Sequence, residues 1–173
     1  LAKWGHAEIL KPDPQIGVYE KLGNTIPLDL TFKDENGQEV RLKDVIRKPT
    51  LFTLVYFRCP SICNPLLNGV VDVLDKIDSN ASVDYQVLTV SFNERETPEL
   101  ALLKKNNYLK AFNHPFPKES WKFLTGNEEN ILKLTQAVGF QFKKQGQDFL
   151  HPAVIMTLSK EGKISRYFYG ITY

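Results

Sequence analysis

No apolar periodicity develops along the first 17 residues, and Pro12, Pro14 and Gly17 break any helix. Residues 1–17 therefore read as an irregular arm ahead of a single domain over 18–173. Leu28, Leu30 and Phe32 then alternate with Asp29 and Thr31, Asp34-Glu35-Asn36-Gly37 supplies a turn, and Val40 and Leu42 resume the alternation. A period of two on both sides of a turn predicts a β-hairpin. Residues 50–57 form a near-continuous apolar and β-branched run, as expected of a central parallel strand buried on both faces. The run stops at Arg58-Cys59-Pro60.

Leu66, Val70, Val73, Leu74 and Ile77 follow at helical spacing, with Asn64 placed to cap and Pro65 at the first helical position. Residues 85–92 predict a second buried strand. Thr97-Pro98-Glu99 opens a helix expected to turn Leu100, Leu103 and Phe112 inward. A short strand at 121–125, a helix from about 128 to 138, and strands at 153–158 and 163–169 around Lys160-Glu161-Gly162 complete the series. Parallel strands joined through helices, then an antiparallel pair, is the order of a thioredoxin-like α/β fold. The expected architecture is a central mixed sheet flanked by helices, with an N-terminal β-hairpin extension.

Composition changes the meaning of the cysteines. A chain of 173 residues, 42% of them hydrophobic, buries a core without staples, so its two cysteines are not needed to hold the fold. The 22 Lys+Arg and 20 Asp+Glu are interspersed and leave a net charge of +2, short of the basic excess that nucleic-acid binding demands. No stretch approaches the roughly 18 uninterrupted apolar residues of a membrane-spanning helix. The first residue is Leu1 rather than methionine, which leads us to expect an upstream segment, a signal peptide or a membrane anchor.

Both cysteines fall in Cys59-Pro60-Ser61-Ile62-Cys63, between the most hydrophobic strand and the following helix, where open α/β sheets place their sites. The positive end of that helix should lower the pKa of at least one thiol. In a helical turn, residues four apart have Cα atoms about 6 Å apart, close enough for a disulfide. The pair can thus be a dithiol, a disulfide or a two-thiolate metal clamp; the plainer alternative is two buried cysteines that happen to lie close. A metal would need a further ligand. His6 lies in the arm and His114 in a proline-bounded loop that reads as solvated, whereas His151 stands where the chain turns back into the sheet, facing the cysteine turn in a thioredoxin-like topology. Two soft thiolates and one imidazole suit copper, Cu(I) especially, with Cu(II) using the imidazole and open positions. The lone Met156 rules out a methionine-rich copper relay, and most of the 11 Phe and 7 Tyr stand at positions that read as core.

From about residue 16 to 173 the chain resembles the Sco/SenC family, thioredoxin-like copper proteins of cytochrome c oxidase assembly. Val55 to Cys63 resembles the family's strand followed by Cys-Pro-x-x-x-Cys. Ser91 through Arg95-Glu96-Thr97-Pro98 resembles its Ser-x-Asp-Pro-x-Arg-Asp-Thr-Pro stretch, and Trp121 to Gly126 its Trp-x-x-Leu-Thr-Gly. His151, Glu161-Gly162-Lys163 and Gly170 are similar to its C-terminal hairpin. Three departures remove negative charge: Ser61, Asn93 and Leu150 stand where the family commonly has acidic residues.

The resemblance implies a metallochaperone binding one copper, Cu(I) or Cu(II), per chain through Cys59, Cys63 and His151. It implies delivery to, or preparation of the thiols of, the binuclear copper site of cytochrome c oxidase. Expected partners are the copper-bearing oxidase subunit, a thiol reductant or another copper carrier, with no nucleic acid; the chain itself is expected to be a monomer. A cycling dithiol and an upstream anchor suggest the bacterial periplasm or the outer face of the cytoplasmic membrane, with the mitochondrial intermembrane space as the other expected compartment. The rival reading is a thiol-disulfide oxidoreductase in which Cys59 or Cys63 is catalytic, attacking a disulfide that the other resolves. Its spacing is one residue longer than Cys-x-x-Cys. A peroxidase would need Thr or Arg support for its cysteine, for which Arg58 is the neighbour at hand.

Overall fold

The computed structural model describes residues 16–60, 63–77 and 79–170. In chain order its elements are β1 (Gly17–Val18), β2 (Thr31–Lys33), β3 (Glu39–Arg41), α1 (Leu42–Val45), β4 (Thr50–Val55) and α2 (Cys63–Leu74). There follow β5 (Gln86–Ser91), α3 (Pro98–Leu109), a 3-10 turn (Lys118–Ser120), β6 (Trp121–Leu124) and α4 (Glu128–Val138). The chain ends in β7 (Phe140–Gln141), β8 (Lys143–Gln145), β9 (Asp148–Leu150), β10 (Val154–Leu158) and β11 (Ile164–Tyr169).

The central sheet runs β11-β10-β4-β5-β6. Strands β4, β5 and β6 are parallel, with Thr53 opposite Thr89 and Thr89 opposite Phe123. Strand β10 is antiparallel to both β4 and β11. This is the expected mixed thioredoxin-like sheet, and its directions position the site. The C-terminal ends of β4 and β5 point to one edge, and β10, running the other way, begins at that same edge. The loops after β4 and β5 and the residues just before β10 are thereby gathered together. Buried Trp121, Phe52, Phe123 and Leu88 fill the sheet's faces.

Local chemistry explains the helix ends. The Thr97 hydroxyl caps α3 by accepting the Leu100 N–H, and Asn127 caps α4 by accepting the Asn130 N–H. Gly139 closes α4 at φ +71, and a Cβ there would stand 1.8 Å from the Tyr19 carbonyl oxygen.

Three expectations change. Helix α2 already includes Cys63, so Asn64 is not its cap; Asn64 Oδ1 instead accepts the Tyr108 hydroxyl at 2.7 Å. Pro65 is tolerated because the first turn's N–H groups lack intrahelical partners in any case. Helix α3 buries Ala101, Lys105 and Tyr108 and leaves Leu103 exposed, because polar partners for Lys105 and Tyr108 set its rotation. Phe112 lies beyond the helix and stacks on Phe116. The alternating N-terminal segment makes only the short β2–β3 hairpin, and Leu42 starts a helical turn rather than extending a strand. Of the expected arm, residues 1–15 lie outside the described residues, and Gly17 and Val18 pair with β7.

Candidate metal centre

Cys59 follows β4 in a tight turn whose Cys59 N–H donates to the Tyr56 carbonyl at 3.2 Å. Cys63 opens α2, and its N–H points at the Cys59 sulfur, 3.4 Å away. Both thiols are buried, Cys59 at 5% and Cys63 at 3% exposure. His151 arrives from the other side, on the segment joining β9 to β10. Its Nε2 lies 3.4 Å from Cys63 Sγ and 3.9 Å from Cys59 Sγ. The three donor atoms lie within 4.8 Å of one another. A soft ion with ligand bonds of about 2.0–2.3 Å needs donors roughly 4 Å apart, so small side-chain adjustments suffice.

The tautomer of His151 follows from its other nitrogen. Nδ1 is 2.9 Å from the Pro152 carbonyl oxygen, which can only accept, so Nδ1 carries the proton and the Nε2 lone pair faces the sulfurs. A backbone carbonyl therefore orients the imidazole. Tyr56 and Phe92 hold the ring from the sides, with centroids at 5.6 and 5.1 Å.

The hairpin carrying His151 turns at Gly146, φ +64, the first central position of a two-residue type II′ loop. It is fastened to the β5–α3 loop. Arg95 donates to the Gln147 side chain at 2.8 Å, and Lys144 Nζ meets Glu94 Oε1 at 2.6 Å. Burial works to raise the Glu94 carboxyl, but the Lys144 ammonium outweighs it and holds the group below the usual carboxylate range. Glu94 is thus engaged with Lys144, while Asp148 is exposed on β9. Asn93 Oδ1 accepts the Arg95 N–H at 3.1 Å, Leu150 is exposed, and Ser61 lies outside the described residues.

Burial and the adjacent Cys59 sulfur act on Cys63 against the helix end. The hydrogen bond with Cys59 and desolvation push the Cys63 thiol far above the ordinary range, the opposite of the lowering a helix N-terminus would bring to it. Cys63 thus keeps its proton until something displaces it.

Periodicity and spacing missed Glu96. Its buried carboxylate accepts the Phe57 N–H at 2.7 Å, the Arg58 N–H at 2.9 Å and the Ser91 hydroxyl at 2.6 Å, tying the cysteine turn to the end of β5. The available signal was its place before Thr97-Pro98 in the family-like stretch. His114 is exposed and His6 lies outside the described residues. Among the described residues, the metal-competent set is Cys59, Cys63 and His151.

Comparison with known proteins agrees with this arrangement. The sequence profile of the SCO1/SenC family matches residues 20–172. The SCO1 protein homologue of Bacillus subtilis (strain 168) is 24% identical over 146 residues, covering 82% of this chain and 72% of that protein. A candidate electron transfer protein of Aquifex aeolicus VF5 superposes with a TM-score of 0.78 at 30% identity, over 88% of this chain and 87% of that one. ScoI of Bradyrhizobium japonicum, solved with copper bound, superposes with a TM-score of 0.65 at 25% identity, over 88% and 91% of the two chains. With a family match running through almost the whole described domain, the chain belongs to the SCO1/SenC family.

Proposed function

We propose that this protein is a copper-binding metallochaperone that carries one copper ion on Cys59, Cys63 and His151 and serves assembly of the copper-bearing subunit of cytochrome c oxidase. The convergence of two thiols and one imidazole nitrogen within 4.8 Å carries the reading. The copper-bound Bradyrhizobium relative supports it. Copper is the cargo. Uptake requires both thiols to give up their protons, which the raised Cys63 thiol resists until a soft cation replaces the proton. The sulfurs are buried while His151 is half-buried, so His151 forms the rim of the site and is the first ligand that an incoming donor from a partner can displace. Handover by ligand exchange needs no covalent step.

The proposed partners are the oxidase subunit and a donor of copper or of reducing equivalents. The proposed setting is extracytoplasmic and membrane-associated, supported by the thiol chemistry and by mitochondrial members of the family in Arabidopsis thaliana and Homo sapiens. The chain works as one domain over 18–173. Thiol-disulfide exchange on other proteins is the weaker reading, because a substrate disulfide must reach a sulfur in line, and both sulfurs are buried.

A Cu(I) titration of the reduced protein tests the proposal. One equivalent should bind, and His151→Ala, Cys59→Ser and Cys63→Ser should each weaken uptake at least tenfold, on the order of the loss seen when a metal site is disturbed. Oxidation to the Cys59–Cys63 disulfide should abolish uptake, since it consumes two donors. Negligible uptake by the reduced protein together with catalytic reduction of a model disulfide would sink the proposal.

A further inference from the structure

Residues 94, 95 and 96 of the β5–α3 loop each fasten a different part of the metal centre, and none of them belongs to the metal-competent set. The Glu96 carboxylate accepts the Phe57 N–H at 2.7 Å and the Arg58 N–H at 2.9 Å, and so grips the cysteine turn. Arg95 reaches the other way, to the tip of the hairpin that carries His151. Its Nη1 donates to Gln147 Oε1 at 2.8 Å and its Nη2 to the Gln147 carbonyl at 3.3 Å. The guanidinium carbon also stands 6.0 Å from the centroid of the Phe149 ring on that hairpin. Glu94 meets Lys144 of the same hairpin at 2.6 Å.

The loop and the hairpin differ in how they are held. Within the loop the Asn93 carbonyl accepts the Glu96 N–H at 3.1 Å, the Ser91 hydroxyl oxygen accepts the Asn93 N–H at 3.1 Å, and the Phe92 N–H donates to the Val55 carbonyl at 2.9 Å. Asn93, 3% exposed, turns its side-chain oxygen to the Arg95 N–H at 3.1 Å and to Arg95 Nε at 3.4 Å, which orients the guanidinium. Among the described residues, strands β8 and β9 pair only with each other, as a separate two-stranded sheet. A lone two-stranded hairpin is marginal in water. The place of this one therefore depends on its side-chain fastenings, buried Phe149 and the contacts to Glu94 and Arg95.

We propose that Arg95 is a positioning residue of the site: with Glu96 gripping the cysteine turn beside it, Arg95 holds the His151 hairpin at one fixed separation from the sulfurs before an ion arrives. The inference rests on the reading of Cys59, Cys63 and His151 as the copper site, and it gives a task to the Ser91–Pro98 stretch of the sequence. An arm that spends part of its time away from the sulfurs binds an ion more weakly in proportion to that time.

The first measurement contains no copper. In the reduced, metal-free protein, Arg95→Met should speed hydrogen exchange of the paired β8 and β9 amides roughly tenfold, the factor that one hydrogen bond from a charged donor supplies, while β4 and β5 amides keep their rates. The second is a double-mutant cycle in Cu(I) affinity. Arg95→Met alone should weaken binding about tenfold, the low end of the range for groups that orient a metal ligand. In a His151→Ala background the same substitution should change affinity less than about twofold, because the hairpin then carries no ligand. A substitution that merely loosened the fold would act equally in both backgrounds.

Unchanged exchange in β8 and β9, an acceleration shared by β4 and β5, or a loss of affinity that persists in the His151→Ala protein would each overturn the proposal. Should Arg95→Met not fold, Gln147→Ala removes the 2.8 Å bond from the hairpin side. It should speed the same exchange about threefold, and an unaltered rate would again refute the role of Arg95. Failure of the reduced wild type to take up Cu(I) would count against the metallochaperone reading instead, since the exchange experiment judges Arg95 without any metal.

Discussion

At Glu96 a buried carboxylate is satisfied by two backbone N–H groups and one hydroxyl, Phe57, Arg58 and Ser91. Such charge-assisted bonds let a carboxylate stay in a dry place that would otherwise expel it. The structural consequence is a cysteine turn whose backbone is anchored from below. Glu96→Ala should strand the two backbone donors and lower unfolding free energy by about 2–6 kcal/mol, from roughly 1–3 kcal/mol per unsatisfied group. Urea denaturation checks this, and Glu96→Gln should lose less because one acceptor oxygen remains. An Ala variant as stable as the wild type would show that water replaces the carboxylate. His151 illustrates the same economy of means at another position: the Pro152 carbonyl fixes its tautomer.

Among the elements, the β2–β3 hairpin is the one whose tip contradicts its sequence. Asp34-Glu35-Asn36-Gly37 reads as a solvated turn, yet Glu35 is 4% exposed. The Asp34 carboxylate accepts the Asn36 and Gln38 N–H groups and shapes the turn locally. Glu35 reaches across the fold to Lys105 on α3 at 2.6 Å, with Lys122 at 3.8 Å and the Phe123 N–H at 3.0 Å. The hairpin thereby clamps α3 to β6. Removing one partner of a buried pair leaves the other charge uncompensated, which typically costs 3–5 kcal/mol. Lys105→Met should cost about 3 kcal/mol, the low end of that range, because Lys122 and the Phe123 amide remain. In a double-mutant cycle read by urea unfolding, Lys105→Met combined with Glu35→Gln should recover about half of that loss. Fully additive losses would refute the coupling.

For the molecule as a whole, buried tyrosines set its response to alkali. Burial raises the hydroxyl pKa of Tyr108. Burial likewise raises Tyr85, with Asp84 adding to it, and Tyr167, where the Lys21 N–H works in the opposite direction. Their folded values lie above the unfolded value of about 10, so the stability they contribute is fully present below that pH and is lost as pH rises through the folded values. The urea midpoint should therefore hold up to about pH 10 and fall progressively as the pH rises above it. Tyr108→Phe should fall less steeply over that range, and an identical slope would show that Tyr108 contributes nothing to it. The same global view explains the site. Antiparallel β10 begins at the edge where parallel β4 and β5 end, so residues 59, 96 and 151, far apart in the chain, meet without any long loop.

The order of the five central strands and the three long helices, the buried strands β4 and β5, the limits of α4 and the candidate grouping of Cys59, Cys63 and His151 were legible in the chain. Each depends on local periodicity, capping residues or a short motif, and those act over a few neighbouring residues. Periodicity failed at α3, where Lys105 and Tyr108 face inward and Leu103 outward, because specific partners on other elements outweighed the transfer of one leucine from water. It failed equally at Glu35 and Glu96, whose importance lies in what they touch. Hydrogen bonds and ion pairs between distant segments are decided only when the sheet closes and burial makes each unpaired polar group expensive. The chain alone therefore determined which residues could hold a soft metal. The tertiary structure decided how the imidazole is aimed and how Glu96 anchors the cysteine turn beside it.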